Sequence, residues 1–326
     1  MSIIKRIKVP TGDICIINGD KGKLEFLSIG DYGKAKNIKA DFLGFTNEIT
    51  GVPHGELLPL TKKWVITISS QYGCSMNCTF CDVPKVGPGI NATMCDLIAQ
   101  VLTAKNLHKE IKSGRINLHY ARMGEPTFNK NVIHSAYYLR ALLEKDFIFH
   151  PVVSTMMPRH NKHLFRFISD WVEYKNFAYG NAGLQLSINT TNSHTRTKMF
   201  NNNAMSIKDI GKMMSKILSG TRLFGRKITL NFALIGDIID AKYLKEYFDP
   251  KYFMCKLTPM HATNACNKNG ILIDGYNTYD IYKPVEEALK TVGFDVLVFV
   301  PSKEEDESRI TCGNAILSNK EINNAK

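Results

Sequence analysis

Cys74, Cys78 and Cys81 stand at C-x3-C-x2-C spacing within Gln71-Tyr-Gly-Cys-Ser-Met-Asn-Cys-Thr-Phe-Cys81, a stretch short enough to gather its thiols on one loop. Thiolates are ligands for soft and borderline metals, so a local triplet points to a metal centre. Structural zinc and ordinary iron–sulfur clusters take four protein ligands, and Asp82, Val83 and Pro84 offer no obvious fourth. Two kinds of centre follow. A zinc knuckle would be completed by a distant Cys or His. A four-iron cluster on three cysteines would keep one iron open, the arrangement needed to bind and cleave a substrate rather than only pass electrons.

Such a loop needs rigid elements around it. Trp64-Val-Ile-Thr-Ile-Ser69, directly upstream, is an apolar, β-branched run that reads as a strand of a parallel sheet buried on both faces. Catalytic groups in parallel α/β folds gather at the C-terminal ends of strands, which is where the cysteines fall. Downstream, Thr93 with Asp96 is a short-armed capping box that starts a helix with the apolar stripe Leu97, Ile98, Val101 and Leu102. Strands are then expected at 116–120, 147–154, 184–188, 228–234, 252–257 and 296–300, with helices at 132–143, 162–171, 206–218, 241–248 and 282–292. This alternation predicts an α/β fold, a partial parallel (β/α)6 barrel over residues 61–301, with right-handed crossovers. A small β-rich extension precedes it over 1–60, and a segment carrying Cys312 follows over 302–326. In the extension, Ile14–Ile17 and Lys23–Ile29 flank the turn Asn18-Gly-Asp-Lys-Gly22, predicting a hairpin packed on the core, with Cys15 as a buried structural thiol. Gly51-Val-Pro-His-Gly55 reads as a linker, Cys95 as a packing residue, and the acidic run from Glu304 to Glu307 as a solvated loop.

The 326 residues carry 42 Lys and Arg against 30 Asp and Glu, a net charge of +12 that favours a polyanionic partner. Arg159, Lys162, Arg196, Lys198, Arg222, Arg226 and Lys227 follow strand ends or adjoin helices, where they line a phosphate-tracking mouth or serve as solvated helix faces. Eight cysteines in a chain this long are too few for a disulfide scaffold, and the opening Met-Ser-Ile-Ile-Lys-Arg-Ile-Lys has no apolar signal core. No run approaches the roughly 18 apolar residues of a membrane span. The expectation is a reducing, cytoplasmic setting without a membrane partner.

The cysteine triplet, with Phe80 before its last member, is similar to the signature of the radical S-adenosylmethionine (SAM) superfamily. From about Ile66 to Leu317 the chain resembles the dual-specificity radical-SAM RNA methyltransferases that modify C2 or C8 of adenosine. Lys85, Gly87, Asn91, Thr93 and Gln100-Val101 repeat the family's spacing after the cysteines. Met123-Gly-Glu-Pro126 looks like its Met-Gly-Glu-Pro, Val153-Ser-Thr155 like its Ser-Thr strand end, Leu186-Ser-Ile-Asn189 like its Ser-Leu-His, and Leu257-Thr-Pro-Met-His261 like its Leu-Ile-Pro-x-Asn. The resemblance implies a 4Fe-4S cluster on Cys74, Cys78 and Cys81, and SAM held by Gly124, Glu125, Ser154, Ser187, Asn189 and His261, the last two exchanged relative to the family's His and Asn. A carboxylate suits the SAM ammonium, and a glycine permits close backbone approach.

Ile310-Thr-Cys-Gly-Asn314 resembles the family's Ala-Cys-Gly, which makes Cys312 the implied methyl carrier. Implied partners are ribosomal or transfer RNA and an electron donor such as flavodoxin or ferredoxin. One departure bears on mechanism: Thr67 stands where the family has a second, resolving cysteine, and a hydroxyl is a poor nucleophile toward sulfur. Cys15, Cys95, Cys255 and Cys266 are the remaining thiols that could take its place. Two further readings stay open: radical chemistry on a peptide, nucleotide or small molecule with Cys312 as hydrogen-atom donor, and a non-catalytic zinc protein that binds nucleic acid.

Overall fold

The computed structural model describes residues 2–9, 12–32, 57–58, 64–109, 114–271, 275–276, 279–301, 306–312 and 314–317. The 51–55 linker, Glu304, Glu305 and Gly313 lie outside them. The chain opens with strands β1 (Ile3–Val9), β2 (Gly12–Gly19) and β3 (Gly22–Ile29), an antiparallel meander, and a two-residue ladder of β4 (Asp31–Tyr32) with β5 (Leu57–Leu58). Then β6 (Trp64–Ile68) leads into a hairpin of β7 (Gln71–Gly73) and β8 (Pro88–Asn91). Helix α1 (Met94–Leu107), β9 (Arg115–Tyr120), α2 (Asn131–Leu143), β10 (Ile148–Thr155), α3 (Leu164–Phe177) and β11 (Gly183–Ser187) follow. The rest is α4 (Ser193–Met199), α5 (Ile207–Leu218), β12 (Ile228–Leu234), α6 (Ala241–Tyr247), β13 (Phe253–Pro259), α7 (Asn264–Lys268), α8 (Lys283–Thr291) and β14 (Asp295–Val298).

One ten-stranded sheet organises these elements, in the order β1-β2-β3-β6-β9-β10-β11-β12-β13-β14. From β6 to β14 every neighbour is parallel and every crossover is helical, so each step moves one strand along the sheet. The expected α/β partial barrel is therefore present, with β14 added after the sixth β/α unit. The N-terminal meander joins this core as expected, Ile14, Leu24 and Phe26 sharing its hydrophobic cluster, and β3 also pairs antiparallel with β6, Leu27 opposite Thr67, so that it prolongs the same sheet. Strand β1 escaped the sequence reading because Lys5, Arg6 and Lys8 break up its apolar pattern, as an exposed edge allows.

The parallel strands have two unlike faces. Trp64, Ile66, Ile68, Ile116, Leu118, Tyr120, Ile228, Leu230 and Phe232 are buried against the helices. Tyr120 marks that side, its hydroxyl 2.7 Å from Ser135 Oγ on α2 and its ring edge-on to Trp171 on α3. The alternate positions include Thr67, Asn117, His119, Ser154, Thr229 and Asn231, so the opposite face is polar. The reading of Trp64–Ser69 as buried on both faces is corrected accordingly: Val65 and Thr67 are only half-buried.

The capping box at Thr93 forms as expected, with Asp96 N donating to Thr93 Oγ1 and Thr93 N to Asp96 Oδ2. Cys15 is buried in β2, whereas Cys95 is exposed on α1 rather than packed. Helices α4 and α7 were not foreseen, being five to seven residues long and too short to show a periodic stripe.

Candidate active site

The cysteine loop hangs between β7 and β8, at the C-terminal end of β6. Gly73 (φ +80°) lets the two strands touch: a Cβ there would lie 2.0 Å from Gly87 O. Cys74 N donates to Gly87 O and Cys81 N to Cys78 O, each at 3.1 Å. Both flanks are braced from distant chain. Thr79 N donates to Met199 O and Asn203 Nδ2 to Met76 O, while the Phe80 ring packs edge-on against Phe200. On the other side Asp82 accepts from Asn264 N and Ala265 N at the start of α7, and Thr263 Oγ1 donates to Phe80 O at 2.7 Å.

Cys78 is buried; Cys74 and Cys81 are half-buried. Burial, reinforced by the neighbouring sulfurs, pushes Cys74 up to about 12 and Cys78 well above its ordinary value. Cys81 is likewise pushed up by burial, to about 11. These thiols stay protonated at neutral pH until a metal displaces their protons. Among the described residues no three Cys, His, Asp or Glu side chains are grouped to hold a single ion. Soft, all-sulfur donors spread along one loop fit an iron–sulfur cluster, in which each thiolate takes a different iron.

Opposite the loop, β9 ends in Arg122-Met-Gly-Glu-Pro126. Gly124 (φ +94°) packs on Gln71, and a Cβ there would meet Gln71 Cβ at 2.5 Å. Gln71 in turn accepts from Glu125 N at 2.8 Å and donates to Gly89 O and Asn91 Oδ1, joining the Gly-Glu turn to both strands of the cysteine hairpin. The buried Glu125 carboxylate accepts from Thr127 N and Thr127 Oγ1 on one oxygen and from Met156 N on the other. The Thr155 side chain also hydrogen-bonds this carboxylate, so the protein already meets its roughly four acceptor sites while leaving its charge unpaired. Burial pushes Glu125 above its ordinary value against those hydrogen bonds, and among the described residues no Lys or Arg is ion-paired with it. A cationic ligand is what would stabilise its charge. Cys74 and Cys78 both lie within its electrostatic reach.

The family-like residues after the cysteines turn out to build this frame. Lys85 pairs with Asp82 at 2.9 Å, Asn91 Nδ2 donates to Phe128 O, and Gln100 bonds both backbone groups of Ser69. Ser154 and Ser187 lie at the C-terminal ends of β10 and β11. Asn189 takes a left-handed φ of +63° and its Oδ1 accepts from Ala233 N at 3.2 Å. His261 differs from the expectation: its Nδ1 is 2.6 Å from Tyr276 Oη and 3.2 Å from Asp306 Oδ1, so that nitrogen already has partners inside the protein. Asp306 is also drawn inward from the acidic run, accepting from Thr311 Oγ1 and Ala262 N; the solvated-loop reading fails for it.

That network brings the C-terminal segment to the site. Cys312, half-buried and pushed up to about 12 by burial, feels Cys81, Asp306, Arg122 and Cys266. Glu25 on β3 completes the attachment: its carboxylate is ion-paired with Arg122 and accepts from Ala315 N at 2.7 Å and Ile316 N at 3.1 Å. Neither Glu25 nor Arg122 was singled out from sequence, because no local signal marks a pair 97 positions apart. Of the remaining thiols, Cys15 and Cys255 are buried within strands and Cys95 faces solvent, while Cys266 Sγ lies 3.5 Å from Phe80 O and its charge acts on both Cys81 and Cys312.

The basic mouth is not assembled as expected. Arg196 is buried, donating to Ser187 O, Ile188 O and Met205 O, because it closes the end of β11. Arg159 lies past the C-terminal end of β10, whereas Arg222, Arg226 and Lys227 precede β12 at the opposite end of the sheet.

No protein-family model matches the chain. Over 80 residues it is 39% identical to the dual-specificity RNA methyltransferase RlmN of Vesicomyosocius okutanii subsp. Calyptogena okutanii (strain HA), covering 24% of this chain and 22% of that protein. Over 111 residues it is 32% identical to the protein of the same name from Campylobacter hominis, covering 34% and 30%. The matched region thus spans less than a third of these curated relatives. Among solved structures, a radical SAM methyltransferase from Sphaerobacter thermophilus superposes with a TM-score of 0.62 at 19% identity, over 92% of this chain and 76% of that one. SuiB from Streptococcus suis, bound to SAM, gives 0.50 at 12%, over 75% and 51%. The fold is therefore that of the radical SAM enzymes, and the sequence likeness is to the RlmN-type RNA methyltransferases.

Proposed function

We propose that this protein is a radical SAM enzyme that methylates an adenine base in RNA. The observation that carries the reading is the convergence of the Cys74-Cys78-Cys81 loop, the buried carboxylate of Glu125 and the returning thiol of Cys312 at the C-terminal ends of one parallel sheet. Cys74, Cys78 and Cys81 hold a 4Fe-4S cluster. Held there, such a cluster would supply the electron that cleaves SAM to a 5′-deoxyadenosyl radical. Glu125 pairs its buried charge with the SAM ammonium, and Gly124 keeps the approach clear. Ser154, Ser187 and Asn189 line the strand ends beside it. Cys312 would carry the methyl group: its thiolate would take the methyl from one SAM, releasing S-adenosylhomocysteine, and a 5′-deoxyadenosyl radical from a second SAM would remove one hydrogen atom from it as 5′-deoxyadenosine. The methylene would then bond to the adenine carbon, which gives up its proton and returns one electron to the cluster, and a second thiol would form a disulfide with Cys312 while the released carbon takes a proton. The net charge of +12 suits RNA. The RlmN-named relatives support RNA as the substrate class, and a flavodoxin or ferredoxin in the cytoplasm supplies the electron. Among the described residues no helix is long and apolar enough to cross a membrane.

Thr67 favours a second reading, radical chemistry of another type with Cys312 as hydrogen-atom donor, because the family's resolving thiol is absent there. Cys266, whose charge acts on Cys312, favours the first. Anaerobic incubation with SAM, reductant and total RNA separates them: methyladenosine supports methyl transfer, and 5′-deoxyadenosine without it supports the second.

A further inference from the structure

At the end of the sheet opposite the cysteine loop, cationic side chains gather around a buried histidine. In the parallel register His150 of β10 stands beside Asn117 of β9, on the polar face, two positions along from Arg115. His150 is 2% exposed. Its Nε2 lies 3.2 Å from Arg226 Nη1. A guanidinium can only donate, so Nε2 is the acceptor and the hydrogen of the neutral ring is on Nδ1. That Nδ1 is buried and has no hydrogen-bond partner among the described residues. An unsatisfied buried donor costs free energy and calls for an acceptor.

The surroundings say what kind of acceptor. Arg226, Arg115, His119 and Lys175 all act on His150, each of them in the direction that disfavours a positive charge. Lys175 is fully buried, its Nζ donating to Phe224 O at 2.6 Å. Arg115 Nε donates to Asn117 Oδ1. Among the described carboxylates at this end, Asp295 is bound by Lys227 at 2.6 Å, Glu144 by Arg140 at 2.6 Å and Asp146 by Lys105 at 3.6 Å. The turn that presents Arg226 is a fixed one: Gly225 (φ +68°) packs on Gly180 so closely that a Cβ would meet Gly180 Cα at 2.4 Å, and Phe224 N donates to Asn176 Oδ1. Arg226 is exposed as a residue, while burial lowers the pKa of its guanidinium, the end that turns in toward His150.

We propose that Arg226, His150 and Arg115 form a binding site for a tetrahedral oxyanion, a phosphate group, at the N-terminal ends of β9, β10 and β12. A phosphate oxygen accepts from His150 Nδ1 without needing a proton of its own, and its charge offsets the mutual repulsion of the two guanidiniums, whose forks suit phosphate. The site is separate from the cysteine loop and does not depend on the proposed function. The phosphate can be free or part of a nucleic acid.

Calorimetric titration of the full chain with inorganic phosphate, against chloride at matched ionic strength, tests the site. Saturable binding at one site per chain is expected, weakened at least tenfold by Arg226→Gln and by His150→Phe, partly by Arg226→Lys, and not at all by Lys212→Gln on α5. Arg226 is exposed, so its variants report even if His150→Phe folds poorly. Competition by an oligonucleotide bearing a 5′-phosphate, but not by its 5′-hydroxyl counterpart, identifies a nucleic-acid terminus as a source; no competition by either identifies the free anion. Absence of saturable phosphate binding, or equal weakening by Arg226→Gln and Lys212→Gln, would overturn the proposal.

Discussion

Glu25 and Arg122, 97 positions apart in the chain, form a buried ion pair whose acid also receives the backbone N–H groups of Ala315 and Ile316. One carboxylate thus ties the N-terminal meander, the Met123-Gly-Glu-Pro126 turn and the segment carrying Cys312. Removing one partner of a buried pair strands the other's charge and costs about 3 to 5 kcal/mol. Glu25→Ala is expected to lower the melting temperature and to speed alkylation of Cys312. Glu25→Gln, which retains an acceptor for the backbone, should be milder on alkylation. Equal alkylation rates in wild type and both variants would show that the segment docks by other means.

At Glu125 the expected effect is on ligand affinity rather than on folding. A charge-assisted hydrogen bond to an ammonium is worth about 1.5 to 3 kcal/mol, so Glu125→Ala should weaken SAM binding roughly ten- to a hundredfold while iron content is unchanged. Gly124→Ala should also impair binding, since its Cβ would collide with Gln71 2.5 Å away. Equilibrium dialysis with labelled SAM measures both, and wild-type affinity in either would remove the Gly-Glu turn from the site.

Single replacement of Cys74, Cys78 or Cys81 by Ala should abolish most of the brown cluster absorbance after reconstitution and all 5′-deoxyadenosine formation. A colourless wild-type protein that binds zinc, and loses it in the three variants, would favour the zinc reading instead.

His150 predicts a pH dependence of stability. Burial first, then the charges of Arg115, Arg226, His119 and Lys175, holds its pKa down to about 2. An unfolded histidine titrates near about 6.5. Because the folded value is depressed, the stabilising contribution is complete above about pH 6.5 and is lost as pH falls below it, at up to about 1.4 kcal/mol per pH unit. In phosphate-free buffer, His150→Gln should flatten the decline of stability between about pH 6.5 and 5. A parallel decline in the variant would assign it to other groups.

Thr67 and Cys312 bear on turnover together. Intact-protein mass spectra after anaerobic preparation with SAM should show one added methyl, located at Cys312. If Cys266 does not act as the resolving thiol, a protein–RNA adduct through Cys312 accumulates and Thr67→Cys releases it; if it does, Cys266→Ser creates that adduct. An unmethylated Cys312 with normal turnover in Cys312→Ala excludes the carrier role.

Much of this arrangement was legible before any coordinates. The parallel strands declared themselves through β-branched runs such as Ile228–Leu234, and the helix start at Thr93 through its capping chemistry, because both are local signals. The cysteine loop was legible because its ligands are near neighbours. Contacts between distant segments were not. Nothing at Glu25 announces Arg122, nothing in the acidic run separates inward-facing Asp306 from its neighbours, and Arg196 carries the same sequence signature as a surface arginine although it caps a strand end. The same limit hid the fate of His261, whose partners Tyr276 and Asp306 come from other segments.

The most direct test of the central claim is nucleoside mass spectrometry of total RNA after anaerobic incubation with the reconstituted protein, reductant and SAM bearing a deuterated methyl group. A new, labelled methyladenosine is expected, and it should disappear in Cys78→Ala and in Cys312→Ala. RNA without labelled adenosine, from a protein shown in the same reaction to produce 5′-deoxyadenosine, would contradict it.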